Sequence, residues 1–218
     1  MPLSEERRQQ AFAEALTPQE FVSSMQSYQE RLMAGYATTE FSPEQLAKIA
    51  ALPETLQVLA LVEDDSGDVV FNLPILMKLA DQTGKLKLHL LRRSQNQDIA
   101  AQYLLRSGRN HLPTYIFYSS KGLELGTFIE RPMFVTMLMA EWFEEFWETH
   151  PDLPGFGLLP GQMPEESRLV LLDFFAEKRE PHRAEETAAI IEVILSLKPN
   201  LSFTDPSSIT NLKELTNE

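Results

Sequence analysis

The sequence contains no cysteine. That absence excludes disulfides, cysteine nucleophiles, thiolate metal sites and iron–sulfur clusters. Positive charge is scarce too: 19 Lys and Arg stand against 32 Asp and Glu, a net charge of −13. Phosphate backbones are held by an excess of Lys and Arg, so nucleic-acid binding is not expected. The same charge favours solubility and repels anionic membranes. No apolar run approaches the ~18 residues of a membrane span. The histidines His89, His111, His150 and His182 are scattered, without the paired spacing of zinc ligands. No metal or other cofactor is expected. The opening stretch MPLSEERRQQAFAEAL is charged and helical in pattern, unlike a signal peptide, so a cytoplasmic protein is expected.

What is present suits a folded domain. The 218 residues are 43% hydrophobic, enough for a real core. Residues 3–52 read as helices. Thr17 with Glu20, and Ser42 with Gln45, carry capping-box patterns, the second with Pro43 at the first helical position. The period then changes. TLQVLALVE (55–63) is a nearly continuous apolar run, as in a strand buried on both faces. Residues 68–82 look helical and end at Thr83-Gly84. KLKLHLL (85–91) alternates, as an edge strand would. QDIAAQYLLRSG (97–108) reads as a helix closed by Gly108. PTYIFYS (113–119) and LELGTFIE (123–130) are strands joined by a hairpin-length turn, and residues 132–150 form a long helix with Pro132 first.

The order across 55–150 is therefore β-α-β-α-β-β-α, a mixed sheet begun by a right-handed parallel crossover. Residues 1–54 are expected to pack on this core as a helical segment. Residues 151–199 supply a Pro/Gly-rich linker and two C-terminal helices, and 200–218 a polar tail. The helices at 169–175 and 187–197 have wide apolar faces. They are expected to cover the core, with a homodimer interface as the alternative.

This order is the minimal thioredoxin arrangement, and the residues resemble it too. The chain resembles bacterial thioredoxin-family proteins whose first strand ends in Glu-Asp-Trp-Cys-Gly-Asp, followed by Asn-Leu-Pro in the helix. Here the stretch is Glu63-Asp64-Asp65-Ser66-Gly67-Asp68, then Asn72-Leu73-Pro74. LLRRSQNQDIAAQYL is similar to the family's second strand and helix, HLPTYIFYS to the strand opened by a cis-proline, and FIERP (128–132) to the end of the last strand. The likeness runs over roughly residues 17–150. Two departures matter. Asp65 stands where Trp is usual, and Ser66 where Cys is usual, so the redox nucleophile is gone.

The resemblance implies that one rim of the sheet gathers Asp64, Asp65, Ser66, Asp68, Arg92, Arg93, His111, Leu112, Pro113, Glu130 and Arg131. Crevices at strand ends beside a helix N-terminus are where ligands bind in α/β folds. A helix start lowers a thiol pKa, but a serine hydroxyl needs a positioned base to act as a nucleophile. Ser66, His111 and Asp68 could supply such a group only without the elbow signature that usually carries it. The plainer expectation is that Ser66 and Asp68 cap the helix while His111 is solvated in its loop. Asp64, Asp65 and Asp68 lack calcium-loop spacing and its closing Glu.

The resemblance also implies a cis Leu112–Pro113 bond. Two readings of it stand side by side. Leu112 offers its backbone to an extended peptide, or Pro113 merely shapes the loop. Glu141, Glu144, Glu145 and Glu148 share one helical face, read as solvated, and Trp142, Phe143, Phe146 and Trp147 lie opposite, read as core. The leading expectation is a cytoplasmic thioredoxin-like protein without dithiol redox chemistry, binding an unidentified protein or peptide rather than acting as an enzyme. The alternative is a transferase-like protein in which Ser66 holds glutathione or another thiol ligand.

Overall fold

The computed structural model describes residues 3–105 and 107–198. The polar tail expected from residue 200 lies outside them. Four helices come first: α1 (Glu5–Glu14), α2 (Pro18–Ser24), α3 (Gln29–Thr38) and α4 (Pro43–Ala50). Both expected capping boxes form. The Thr17 hydroxyl accepts from the Glu20 amide and the Glu20 carboxylate accepts from the Thr17 amide; Ser42 and Gln45 do the same for α4. Each box satisfies N–H groups that a helix start leaves without partners.

Strand β1 (Leu56–Val62) follows, then α5 (Gly67–Thr83), β2 (Leu86–Arg92), α6 (Gln97–Ala100), β3 (Thr114–Tyr118) and β4 (Glu124–Ile129). The sheet order is β2-β1-β3-β4, with β1–β2 parallel and the other two pairs antiparallel. The all-apolar β1 is thus central, and the alternating β2 is an edge. That edge is partly covered: Leu16 exchanges two backbone hydrogen bonds with Leu90, of 2.8 and 2.9 Å. Such cover blunts an edge strand against stray pairing.

Period-two alternation splits β1 between two cores. Val58, Ala60 and Val62 join one, with Phe21, Leu32, Ile49 and the apolar side of α5. Leu59 and Leu61 join the other, with Ala11 of α1, Ile99 of α6, Tyr103 and Tyr118.

One expected helix is much shorter. The helix anticipated over 97–108 stops at Ala100. Beyond it the Tyr103 ring is buried and its hydroxyl donates to Glu124 at 2.7 Å, while the Asn110 side-chain amide donates to the Tyr103 carbonyl at 2.6 Å. These contacts take the chain off the helical path. Gly108, with φ of +76°, closes a tight turn in which its amide donates to Leu105.

The C-terminal half departs further from the minimal arrangement. Helix α7 (Met133–Thr149) follows β4, with Pro132 as its N-cap rather than its first turn. It does not lie in either sheet core. Its Trp142, Phe146 and Trp147 pack with Met163 of the linker and with Leu171 and Phe175 of α8 (Glu165–Arg179), forming a third core. Helix α9 (Arg183–Ser196) instead brings Ile190, Ile191 and Ile194 onto the same side of the sheet as α5. Each such side chain contributes about 1.5–3 kcal/mol when buried. Leu197, just beyond α9, sits against β4 at Gly126, where a Cβ would come within 2.8 Å of it.

Candidate functional site

The rim at the strand ends is built mainly of charge. Asp68, in the first turn of α5, is held from two sides. Arg131, just after β4, grips it with both guanidinium arms, Nε to Oδ1 at 2.9 Å and Nη2 to Oδ2 at 2.7 Å. Arg179, the last residue of α8, donates to Oδ1 at 2.9 Å. Burial would raise the Asp68 pKa, but the charges and hydrogen bonds of Arg131 and Arg179 outweigh it and hold the carboxylate below its ordinary value. Arg131 is in turn raised, because Asp68 overcomes the burial that would lower it.

The network extends both ways. Arg131 Nη2 also donates to Glu130 Oε1 at 2.6 Å, and the same oxygen lies 3.0 Å from His111 Nδ1. Glu130 has φ of +68°, a left-handed backbone unusual for a residue with a Cβ. The turn is held in place. The Glu130 amide donates to the Pro113 carbonyl at 2.7 Å, and its own carbonyl accepts from the Asn72 side chain. In the other direction Arg179 pairs with Glu186 of α9, whose side chain is fully buried, and lies 4.0 Å over the Phe71 ring. The Tyr115 hydroxyl is buried beneath without a hydrogen-bond partner. Burial first, and then the Asp68 charge, push its pKa far up.

Several expected roles are corrected. Asp68 does not cap α5, because its oxygens are taken by the two arginines. Ser66 occupies the N-cap position, but its side chain makes no cap hydrogen bond. His111 is not a freely solvated loop residue: its side chain is 32% exposed and turned to Glu130, and its Nε2 is buried without a partner. Ser66, His111 and Asp68 therefore form no relay. Arg92, at the end of β2, is engaged within the chain. It donates to the Ser24 hydroxyl at 2.9 Å and to Asp64 at 3.4 Å, tying α2 to the loop after β1. Asp64 also accepts the Gln26 amide at 2.7 Å, and Glu63 the Ser94 amide at 2.6 Å, so these acids tie the loop after β1 to the loops after α2 and β2.

The remaining residues stay available. Asp65 is exposed. The Leu112–Pro113 bond is cis. The Leu112 side chain packs between both sheet cores, and among the described residues no hydrogen bond engages its backbone N–H or C=O. The described residues bring together no group of three potential metal ligands, and none of their helices is long and apolar enough to cross a membrane.

Residues 15–143 match the family described as Thioredoxin. The chain belongs to the thioredoxin family. It is a thioredoxin-family protein without cysteine, and so without dithiol redox chemistry. No curated protein matches it. Among solved structures, a protein of unknown function from Pseudomonas aeruginosa is similar with a TM-score of 0.56 at 17% identity, over 88% of this chain and 99% of that one. An HIV epitope-scaffold is similar with a TM-score of 0.57 at 13% identity, over 85% of this chain and 96% of the other. At these identities the likeness carries the fold alone. Both alignments extend beyond the 129 residues from 15 to 143 matched by the family, so the likeness in shape reaches outside that region.

Within this thioredoxin-family rim, Arg179, Glu186 and Asn72 were not singled out as site residues from the sequence. Glu186 did leave a trace: it falls in register with Ile190 and Ile194, a lone charge in an apolar helical stripe. Helix α8 also reaches the start of α5 beside Ser66. A Cβ on Gly67 would come within 2.8 Å of Leu172 Cδ1, so glycine next to Ser66 allows α8 to pack over the start of α5.

Proposed function

We propose that this chain is a redox-inactive, peptide-binding member of the thioredoxin family, which captures an extended segment along the backbone of Leu112. One observation carries the reading: the N–H and C=O of Leu112 are unused, while the charged groups around them are paired within the chain. An extended peptide could satisfy both groups by strand-like pairing, as in other strand-addition recognition. Binding of this kind needs no thiol and no cofactor. The negative charge and the lack of long apolar runs suit a cytoplasmic setting for it.

The test is a panel of extended peptides followed by amide hydrogen exchange. A bound peptide should slow exchange at Leu112, and methylating the peptide nitrogen that would donate to the Leu112 carbonyl should abolish binding. Binding that protects other amides and ignores that methylation would overturn the reading.

The free Ser66 hydroxyl favours a second reading, a thiol ligand such as glutathione held at the start of α5. Glutathione should then raise the melting temperature, and Ser66→Ala should remove that rise. Leu172, packed against Gly67, stands against it by crowding the approach.

A further inference from the structure

Away from the strand-end rim, a groove of about 490 Å³ runs between α3, α5 and α8. Its size falls within the roughly 300–1,000 Å³ typical of ligand pockets. One wall is the α3 face of Arg31, Ala34, Gly35 and Thr38, at helical spacings of three, four and seven. The other is the α8 face of Leu172, Asp173, Ala176 and Glu177, continued by Glu180. Val70 and Phe71 of α5 form the floor. The small side chains of Ala34, Gly35 and Ala176 on the walls leave the space above that apolar floor unfilled.

The groove's charge is unbalanced. Two cations, Arg31 and Arg183, stand against three carboxylates, Asp173, Glu177 and Glu180; both cations are held in place by the chain, Arg183 keeping its charge and a buried Nε without a partner. Arg31 pairs with Asp173 across the mouth. Arg183 donates to the carbonyls of Phe71 and Gly35 and to the Thr39 hydroxyl, at 3.0–3.2 Å. Glu177 makes no ion pair or side-chain hydrogen bond with any described residue, and Glu180, though near enough to Arg183 to act on its charge, makes none either. An apolar floor beneath two unpaired carboxylates is complementary to an apolar body carrying a positive head. The mouth residues Arg31 and Asp173 are exposed, 38% and 56%, so an occupant would stay continuous with solvent, as a side chain on a larger partner does.

We infer that this groove docks a partner's peptide segment in which a bulky apolar side chain sits beside a lysine or arginine. The apolar side chain lies over Val70 and Phe71, and the cation meets Glu177 and Glu180. This site is separate from Leu112 and stands whether or not that reading does.

The probe is a short labelled peptide whose only bulky and charged residues are one tryptophan and one adjacent lysine. Its twin carries glutamate in place of lysine. Fluorescence titration of the full chain should favour the lysine peptide by about fivefold, the worth of one or two partly exposed charge contacts. Glu177→Lys with Glu180→Lys should invert that preference, and Ala176→Trp, which fills the groove, should abolish binding of both peptides. Glu141→Lys with Glu148→Lys, an equal charge change on the exposed face of α7, should leave the preference standing. Equal loss in that control pair would mean general attraction to an acidic protein and would overturn the proposal. So would a dimer that Ala176→Trp splits, since a second copy would then be the occupant.

Discussion

The two halves of the strand-end rim have opposite characters. On the β4 side, Asp68, Glu130, Arg131 and His111 are joined in one chain of contacts that continues through Arg179 to Glu186. On the β3 side, the Ser66 hydroxyl and the Leu112 backbone are unengaged and Asp65 is exposed. The difference teaches where to look for function in a fold that has lost its nucleophile. Groups saturated by internal partners are doing structural work, and groups left with spare hydrogen-bonding capacity can meet another molecule.

The largest effect is expected from breaking the saturated half. Arg179 is 3% exposed and Glu186 0%. Arg179→Met strands a buried carboxylate and should cost about 3–5 kcal/mol in urea unfolding. Adding Glu186→Met removes the stranded charge and should return most of that loss. A cost under about 1 kcal/mol for Arg179→Met would show that the pair is solvated, and the contrast between the halves would collapse.

Acid titration sharpens the contrast further. Asp68 has a folded pKa below its unfolded one. Its stabilisation is therefore fully present above the unfolded value of ~3.9 and is lost as pH falls through the folded value. His89 on β2 gives a separate signal. Burial, with Lys87 adding to it, lowers its pKa from 6.5 to about 4. The unfolded chain then takes up a proton first, so stability declines as pH falls from 6.5 to about 4 and levels off below. His89→Gln should flatten that upper slope, and Arg131→Met should shrink the step below it. Stability measured against pH by chemical denaturation separates the two.

The smallest effect belongs to the open half. Ser66→Ala should change stability by less than about 0.5 kcal/mol, because the hydroxyl makes no cap bond. Ser42→Ala, which removes a working cap, should cost about 1 kcal/mol. Equal losses in thermal unfolding would mean that Ser66 does cap α5.

Much of this was legible in the sequence, because local patterns dictated it. The apolar run 55–63 read as a strand buried on both faces, which β1 is, and the capping boxes at Thr17 and Ser42 marked helix starts within a residue. The rim's membership came from resemblance, and its open members, Ser66 and Leu112, were among those named. The pairings were not legible. Arg179 lies 111 residues from Asp68, and nothing in the stretch FFAEKRE separates a buried arginine from the solvated lysines and glutamates usual at a helix end. The engagement of Arg92 was hidden for the same reason: its partner Ser24 sits 68 residues away. Helix α6 was overextended because its continuing apolar pattern also suits a loop whose tyrosine is buried.

The exchange of α9 for α7 on the sheet has a consequence for the order in which the chain can mature. Chains leave the ribosome N-terminus first, and domains consolidate as units while they emerge. Here all four strands are synthesised by residue 129, yet Ile190, Ile191 and Ile194 close the larger core only some sixty residues later. Until then one side of the sheet lies partly bare. The helical hairpin of α7 and α8, with its own aromatic core, can form during that interval and carry α9 back to its seat. In this sense α9 closes the larger core late, after every strand of the sheet has emerged.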